Sequence, residues 1–201
     1  ALPEGSSIAT DKTWIGDSIF EAINGDGKIN NEDETFIGNP LPDFTYGIGN
    51  TFSWKGFDLT IFFSGSYGND VINYNRRFIE DVRSNSNLLT SAANYAQLGV
   101  IDKNLPADDF RNLYVTNASV THLPRLSASS TNANNRMSDL YIEDGSYLRL
   151  QNISLSYTLP KNIVRKIKLE NVKVYMNLQN VYTWTKYDGF DPEVGAMYGD
   201  A

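Results

Sequence analysis

The stretch Asn24-Gly25-Asp26-Gly27-Lys28-Ile29-Asn30-Asn31-Glu32-Asp33 sets oxygen-bearing side chains at alternate positions among glycines. A calcium loop uses that pattern to surround a hard cation with oxygens, and its glycine permits the sharp turn. On that template Asn24, Asp26, the Lys28 carbonyl, Asn30 and Asp33 would be ligands for Ca2+. Two positions depart from it. Ala22 stands at the first ligand position, where Asp is expected, and Asp33 closes the loop in place of a longer, bidentate Glu. Affinity should suffer accordingly. The other reading is a turn whose Asn and Asp side chains are satisfied by their own backbone.

Little else supports covalent chemistry. His122 is the single histidine, so no histidine metal cluster exists, and its setting before Leu-Pro-Arg points to an exposed or structural residue. Asp108-Asp109 and Glu143-Asp144 are adjacent carboxylates whose separation nothing fixes, which makes them solvated loop charges. Gly47-Ile48-Gly49 lacks the third glycine and the helix of a nucleotide-binding loop. The loop aromatics Tyr74, Tyr114, Tyr141, Tyr187 and Phe190 could contact a sugar ring or a partner protein, because each combines an apolar face with polar edges; packing within the loops is the alternative.

Composition narrows the class. A net charge of −7 repels a phosphate backbone unless cations cluster, so nucleic acid is not an expected partner. The absence of cysteine removes disulfides and thiolate metal sites while leaving the compartment open. No stretch approaches the roughly 18 consecutive apolar residues of a membrane helix, so any membrane role must rest on strands. The chain starts Ala-Leu-Pro-Glu with no basic, apolar leader, which suits a mature form or an excerpt.

Four segments carry strand alternation, in two pairs. The first sets Phe44, Tyr46, Ile48, Phe52 and Trp54 on one face, interrupted by Asn50. After a Lys55-Gly56 turn, the second sets Phe57, Leu59, Ile61, Phe63 and Tyr67 against Asp58, Thr60, Ser64 and Ser66, with Phe62 as its exception. From Tyr147 to Leu159 the phase changes between Leu148/Leu150 and Ile153/Leu155/Tyr157, which predicts a bulge near Gln151-Asn152. The fourth alternates Val172, Val174, Met176 and Leu178 with Lys173, Tyr175, Asn177 and Gln179, and ends in Tyr182 and Trp184.

The expected fold is therefore all-β, with antiparallel strands forming part of a transmembrane barrel. Segments of about 11 to 13 residues exceed the usual 5 or 6 of globular sheets and match a tilted bilayer crossing. Trp and Tyr fall at strand ends, where barrels carry aromatic girdles. The apolar faces of segments one, two and four hold no charge, and Arg149 is tolerable only near a rim or inside. Asp58, Thr60, Ser64, Lys173, Asn177 and Gln179 would then face a plug or water. The expected layout is an outer region 1–43, a hairpin 44–67, a long extracellular loop 68–146, a hairpin 147–184 and the next outer loop 185–201. Short helices are expected between Val71 and Tyr95, and a helical turn at Lys161–Lys168. A soluble, calcium-dependent, carbohydrate-binding β-sandwich is the alternative with the same alternation.

Ordered blocks across roughly residues 17 to 195 resemble the late barrel of SusC/RagA-type TonB-dependent transporters. They include Ile37-Gly-Asn-Pro-Leu-Pro-Asp-Phe-Thr-Tyr-Gly, Trp54-Lys-Gly-Phe-Asp-Leu-Thr-Ile-Phe-Phe, Pro124-Arg-Leu-Ser-Ala-Ser, Tyr147-Leu-Arg-Leu-Gln-Asn-Ile-Ser-Leu-Ser-Tyr-Thr-Leu-Pro and Tyr187-Asp-Gly-Phe-Asp-Pro-Glu-Val. The resemblance implies a bacterial outer-membrane importer of glycans or peptides and no enzymatic activity. It also implies a plugged barrel of roughly 22 strands, energised by the TonB complex, embedded in outer-membrane lipid and capped by a SusD-like lipoprotein. It favours an excerpt: plug and final strands are absent, so this chain alone would not close a barrel.

Overall fold

The computed structural model describes residues 13–26, 29–81, 83, 87–127 and 133–193. Its strands are β1 (Phe44–Trp54), β2 (Phe57–Tyr67), β3 (Asp70–Ile72), β4 (Leu98–Val100), β5 (Leu113–Val115), β6 (Ile142–Asp144), β7 (Tyr147–Thr158) and β8 (Lys173–Thr185), with short helices α1 (Arg76–Ile79) and α2 (Lys161–Val164). The chain divides into two compact units, Ala1–Ile37 with Asn73–Tyr141, and Gly38–Ile72 with Ile142–Ala201. Four strands of 11, 11, 12 and 13 residues dominate the second unit, each long enough to cross a bilayer when tilted.

Those four form one antiparallel sheet in the order β1-β2-β7-β8. Trp54 pairs with Phe57, so the first hairpin closes through Lys55 and Gly56 alone, at φ 47° and 88°. Positive φ at both central residues defines the turn whose twist matches that of its strands. The register then matches apolar to apolar: Phe44 faces Tyr67, Ile48 faces Phe63 and Phe52 faces Leu59. Leu59 and Ile61 continue onto Leu155 and Ile153, and these onto Met176 and Leu178.

The predicted bulge lies where the phase change put it. Phe62 pairs with Asn152 and Phe63 with Leu150, which leaves Gln151 without a partner. The extra residue returns Leu148 and Leu150 to the face of Ile153 and Leu155 and sends Arg149 to the polar face. A second irregularity sits opposite it in β8, where Gln179 pairs with Asn152 but Tyr182 with Leu150. Asn180 there takes φ 49°, a left-handed conformation that Asn tolerates better than most residues.

Two glycines serve particular contacts. Phe62, the exception to its strand's pattern, lies over Gly47 and Gly49, where an added Cβ would stand 3.2 and 3.3 Å from its ring. A large ring covering bare backbone explains an aromatic on the polar face. Gly65 leaves room for the Tyr46 ring, whose hydroxyl crosses to donate to the Tyr147 carbonyl at 3.1 Å.

The link between β7 and β8 makes the expected helical turn, α2, after Pro160. It continues as a 3-10 turn to Ile167 and ends at Lys168 in a left-handed conformation. Val164, fully buried, anchors it. At the other end of the sheet β3 pairs with β6.

The first unit holds the remainder of the connection expected as a loop, together with the N-terminal segment. Its regular elements are the β4–β5 pair, α1 and 3-10 turns such as Thr90–Asn94. Polar side chains organise it. The Asp17 carboxylate has no exposed surface and meets Arg125 Nε at 2.7 Å, while accepting from Asn134 and from the Trp14 backbone. Buried Asn112 donates to the carbonyls of Asp102, Leu105 and Pro106 and accepts from the Asp102 N–H.

Candidate functional site

The outer surface of the four-stranded sheet is apolar and uncovered. Phe44, Ile48, Phe52 and Trp54 of β1 and Val174, Met176, Tyr182 and Trp184 of β8 are all exposed. Phe57 and Tyr67 of β2 and Leu155 of β7 extend the same face, which carries no charged residue. A soluble monomer seldom exposes more than a few hundred Å² of contiguous apolar surface. The sandwich alternative needs a second sheet over this face. The buried apolar residues among those described are Ala22, Ala92, Ala96, Tyr141 and Val164, none of them on it. The sandwich expectation is therefore corrected: this face is built to meet lipid.

Rings border the face at both ends, as an interface demands. Toward the short connections Phe57 stacks on Tyr157 at 4.3 Å, and Lys55 Nζ sits 4.9 Å from the Trp54 ring centre. Toward the long connection Phe44 stacks on Tyr67 at 5.4 Å, and Tyr182 meets Trp184 edge-on at 4.8 Å.

The opposite face is polar and internally bonded. Asp58 accepts from Ser53 at 2.7 Å, from Lys173 at 3.2 Å and from Ser156 at 3.4 Å. Thr51 and Thr60 share a hydrogen bond of 3.0 Å. Cross-strand pairs of this kind suit a face turned to a hydrated interior.

At the long-loop end of that face lies a cluster that sequence reasoning did not find. The Arg149 side chain, only 6% exposed, reaches Asp191 and Glu193, each at 2.6 Å. Its Nε donates to Thr183 at 2.9 Å, and Tyr147 donates to Glu193 at 2.6 Å. The segment after β8 is thereby tied back onto the wall. Burial pushes the Asp191 carboxyl up, but the Glu193 backbone N–H and the Arg149 guanidinium outweigh it, holding the group below the ordinary carboxylate range. The available signal was the lone arginine in Tyr147-Leu-Arg-Leu, whose charge requires a partner; nothing local pointed 42 residues onward to Asp191.

Of the proposed calcium-loop residues, Asn24, Asn30 and Asp33 are joined across one turn. Asp33 accepts from the N–H groups of Ile23 and Asn30, each at 2.9 Å; Asn24 accepts from Asp26 at 2.9 Å and Asn30 from Glu32 at 2.7 Å. Lys28 lies outside the described residues, and buried Ala22 offers no side-chain oxygen. No group of three His, Cys, Asp or Glu residues arranged to hold a metal occurs among the described residues.

The loop aromatics are dispersed. Tyr74 packs edge-on against Phe78 at 5.2 Å, Tyr114 is exposed on β5, and Phe190 is 97% exposed. Tyr141 is buried at 4% exposure, so its ring serves packing; burial and the nearby Glu80 raise its phenol above the usual value. Burial and Glu143 do the same for Tyr187. The paired carboxylates have structural work: Asp109 holds Arg111 at 2.9 Å, and Glu143 accepts the Asp188 N–H at 2.9 Å. His122 is exposed.

Strands of membrane-crossing length, an apolar outer face with aromatic borders and a polar inner face define a segment of outer-membrane β-barrel wall. No family model matches the chain. It is similar to TonB-dependent receptor P3 of Formosa agariphila, 33% identical over 96% of this chain and 17% of that receptor. It is also similar to TonB-dependent receptor SusC of Bacteroides thetaiotaomicron, 25% identical over 89% of this chain and 15% of that receptor. Among solved structures it superposes on the RagAB peptide importer in its closed-closed state, with a TM-score of 0.61 and 28% identity over 84% of this chain and 17% of that one. The chain belongs to the TonB-dependent receptors of the SusC/RagA type and resides in the outer membrane. It spans about a sixth of the length of these relatives, 17% in the case of receptor P3.

Proposed function

We propose that the chain supplies wall and outer loops to an active importer of glycans or peptides, energised through TonB and working with a SusD-like lipoprotein. The observation that carries this is the pairing of a lipid-facing wall with relatives that are TonB-dependent receptors and a structural neighbour that is a peptide importer. The Arg149–Asp191–Glu193 tie supports the reading, since it holds the segment leaving β8 at the outer rim. Tyr74, Tyr114, Tyr187 and Phe190 are the residues offered to cargo or to the lipoprotein, whereas buried Tyr141 serves packing. The segment around Asn24, Asp26, Lys28, Asn30 and Asp33 is a low-affinity Ca2+ site that stiffens the turn.

The test is growth of the parent strain on oligosaccharides or on peptides as sole nutrient, with the full-length gene intact, deleted, or present without TonB. Loss on one nutrient class in both mutants supports the proposal; undiminished uptake without TonB overturns it. For the calcium loop, Ca2+ should raise the melting temperature of the full transporter, and Asp33→Ala should abolish that rise.

A further inference from the structure

The two ends of the four-stranded sheet differ in charge. The end bearing the long connection carries Asp43, Asp70, Asp144, Asp188, Asp191 and Glu193 next to the strand termini. The opposite end carries Lys55 in the hairpin turn and Lys161, Arg165, Lys166 and Lys168 in the β7–β8 link, against Glu170 as the one carboxylate of that link. Short connections of outer-membrane barrels lie on the periplasmic side, so the basic end faces the periplasmic leaflet.

From this we infer that the basic rim is a docking surface for anionic phospholipid headgroups of that leaflet. Three observations carry it. Lys161, Arg165, Lys166 and Lys168 are exposed, and among the described residues none has a carboxylate partner. Ile163 and Leu169, each 49% exposed, lie among them, so cations and apolar side chains share one short link, as at a membrane interface. The rim is also continuous with the lipid-facing wall. Lys55 lies over Trp54, and the Phe57–Tyr157 stack marks the interfacial level on the adjoining strands. A phosphodiester at that level meets ammonium and guanidinium donors while its acyl chains lie against Phe52, Leu155 and Met176.

Val164 and the left-handed cap at Lys168 anchor the backbone of the link, so contact orders mainly the side chains of the cations. Each basic residue near an anionic surface gains about fivefold in binding, less where salt screens it. The inference rests on the outer-membrane location and not on what the transporter carries.

The experiment places the full transporter in nanodiscs of phosphatidylcholine with or without phosphatidylglycerol, and native mass spectrometry reads the phosphatidylglycerol retained. The variant Lys161→Gln/Arg165→Gln/Lys166→Gln/Lys168→Gln should lose retention at least about tenfold, allowing for screening of four such contributions. Lys161→Arg/Lys166→Arg/Lys168→Arg should retain it, as should Lys186→Gln at the acidic end. Retention in the native transporter should fall as salt rises. Equal retention by the glutamine variant overturns the inference. So does lost uptake with unchanged lipid retention, which would assign the rim to a protein partner. Should the glutamine variant fail to insert, a salt-insensitive native transporter or an arginine variant without bound lipid overturns it as well.

Discussion

Removing the carboxylates that hold Arg149 should cost more than removing Arg149 itself. The Arg149 side chain is 6% exposed, whereas Asp191 and Glu193 are 43% and 44% exposed. In Asp191→Ala/Glu193→Ala a buried guanidinium keeps the Thr183 hydroxyl, 2.9 Å away, and the Tyr147 ring, whose centre is 5.3 Å from it, but no anion among its contacts. Breaking one side of a buried ion pair costs about 3 to 5 kcal/mol; the half-exposed acids lower this to about 2 to 3 kcal/mol, because water already screens part of the attraction. In Arg149→Met the acids rehydrate where they stand, and the loss is about 1 to 2 kcal/mol of hydrogen bonding. The assay is hydrogen–deuterium exchange of residues 186–193 in the full transporter. The double variant should speed exchange roughly 30- to 150-fold and Arg149→Met roughly 5- to 30-fold. The triple variant should resemble Arg149→Met, because no uncompensated cation remains. If Arg149→Met opens the segment more than the acid pair does, or the triple variant is the sum of the others, the argument from burial is wrong.

Three further outcomes follow from the wall. Ile48→Arg, in the middle of the lipid face, should destabilise the folded transporter by about 2 to 4 kcal/mol, while Asn177→Arg on the inner face of β8 should change it little; refolding yield into bilayers reads the difference. Gly65→Ala should be destabilising by about 1 to 3 kcal/mol, because its Cβ would meet the Tyr147 carbonyl oxygen at 2.6 Å as well as the Tyr46 ring, with the melting temperature as readout. The Asp191 contact should depend on acid: its carboxyl is depressed in the folded state, so its stabilisation is present above the ordinary carboxylate value near about 4 and disappears as pH falls through the lower, folded value. Exchange of 186–193 should therefore be flat in stabilisation from neutral pH to about 4 and accelerate only below it, after correction for intrinsic rates.

Alternation over Phe44–Trp54 and Phe57–Tyr67 was sufficient to read both the face and the hairpin, because a period of two has one solution when one side is apolar. The phase change at Gln151-Asn152 located the bulge for the same reason. Phe62 was unreadable from one strand, since its glycine platform belongs to the neighbour. The shift at Asn180-Val181 was hidden by the regular run that precedes it. Strands β3 to β6 have three residues each, too few for a period to register. Asp17–Arg125 and Arg149–Asp191 join distant parts of the chain, and neither charge pattern nor spacing ranks such pairs. The calcium-like loop was legible as a turn that brings Asn24, Asn30 and Asp33 together, whereas its metal occupancy depends on coordination chemistry that a residue pattern does not determine.

Successive residues of the long strands face lipid and lumen in turn. Site-directed spin labels placed singly at positions 173 to 179 of β8, in the full transporter in bilayers, measure this directly. Labels at 174, 176 and 178 should be accessible to oxygen dissolved in lipid, and labels at 173, 175, 177 and 179 to a water-soluble nickel reagent or to neither. The absence of native cysteine in this chain leaves the label site unambiguous within it. A two-residue oscillation with maxima at Val174, Met176 and Leu178 is the expected result. Uniform access to the aqueous reagent along the strand would contradict a membrane wall.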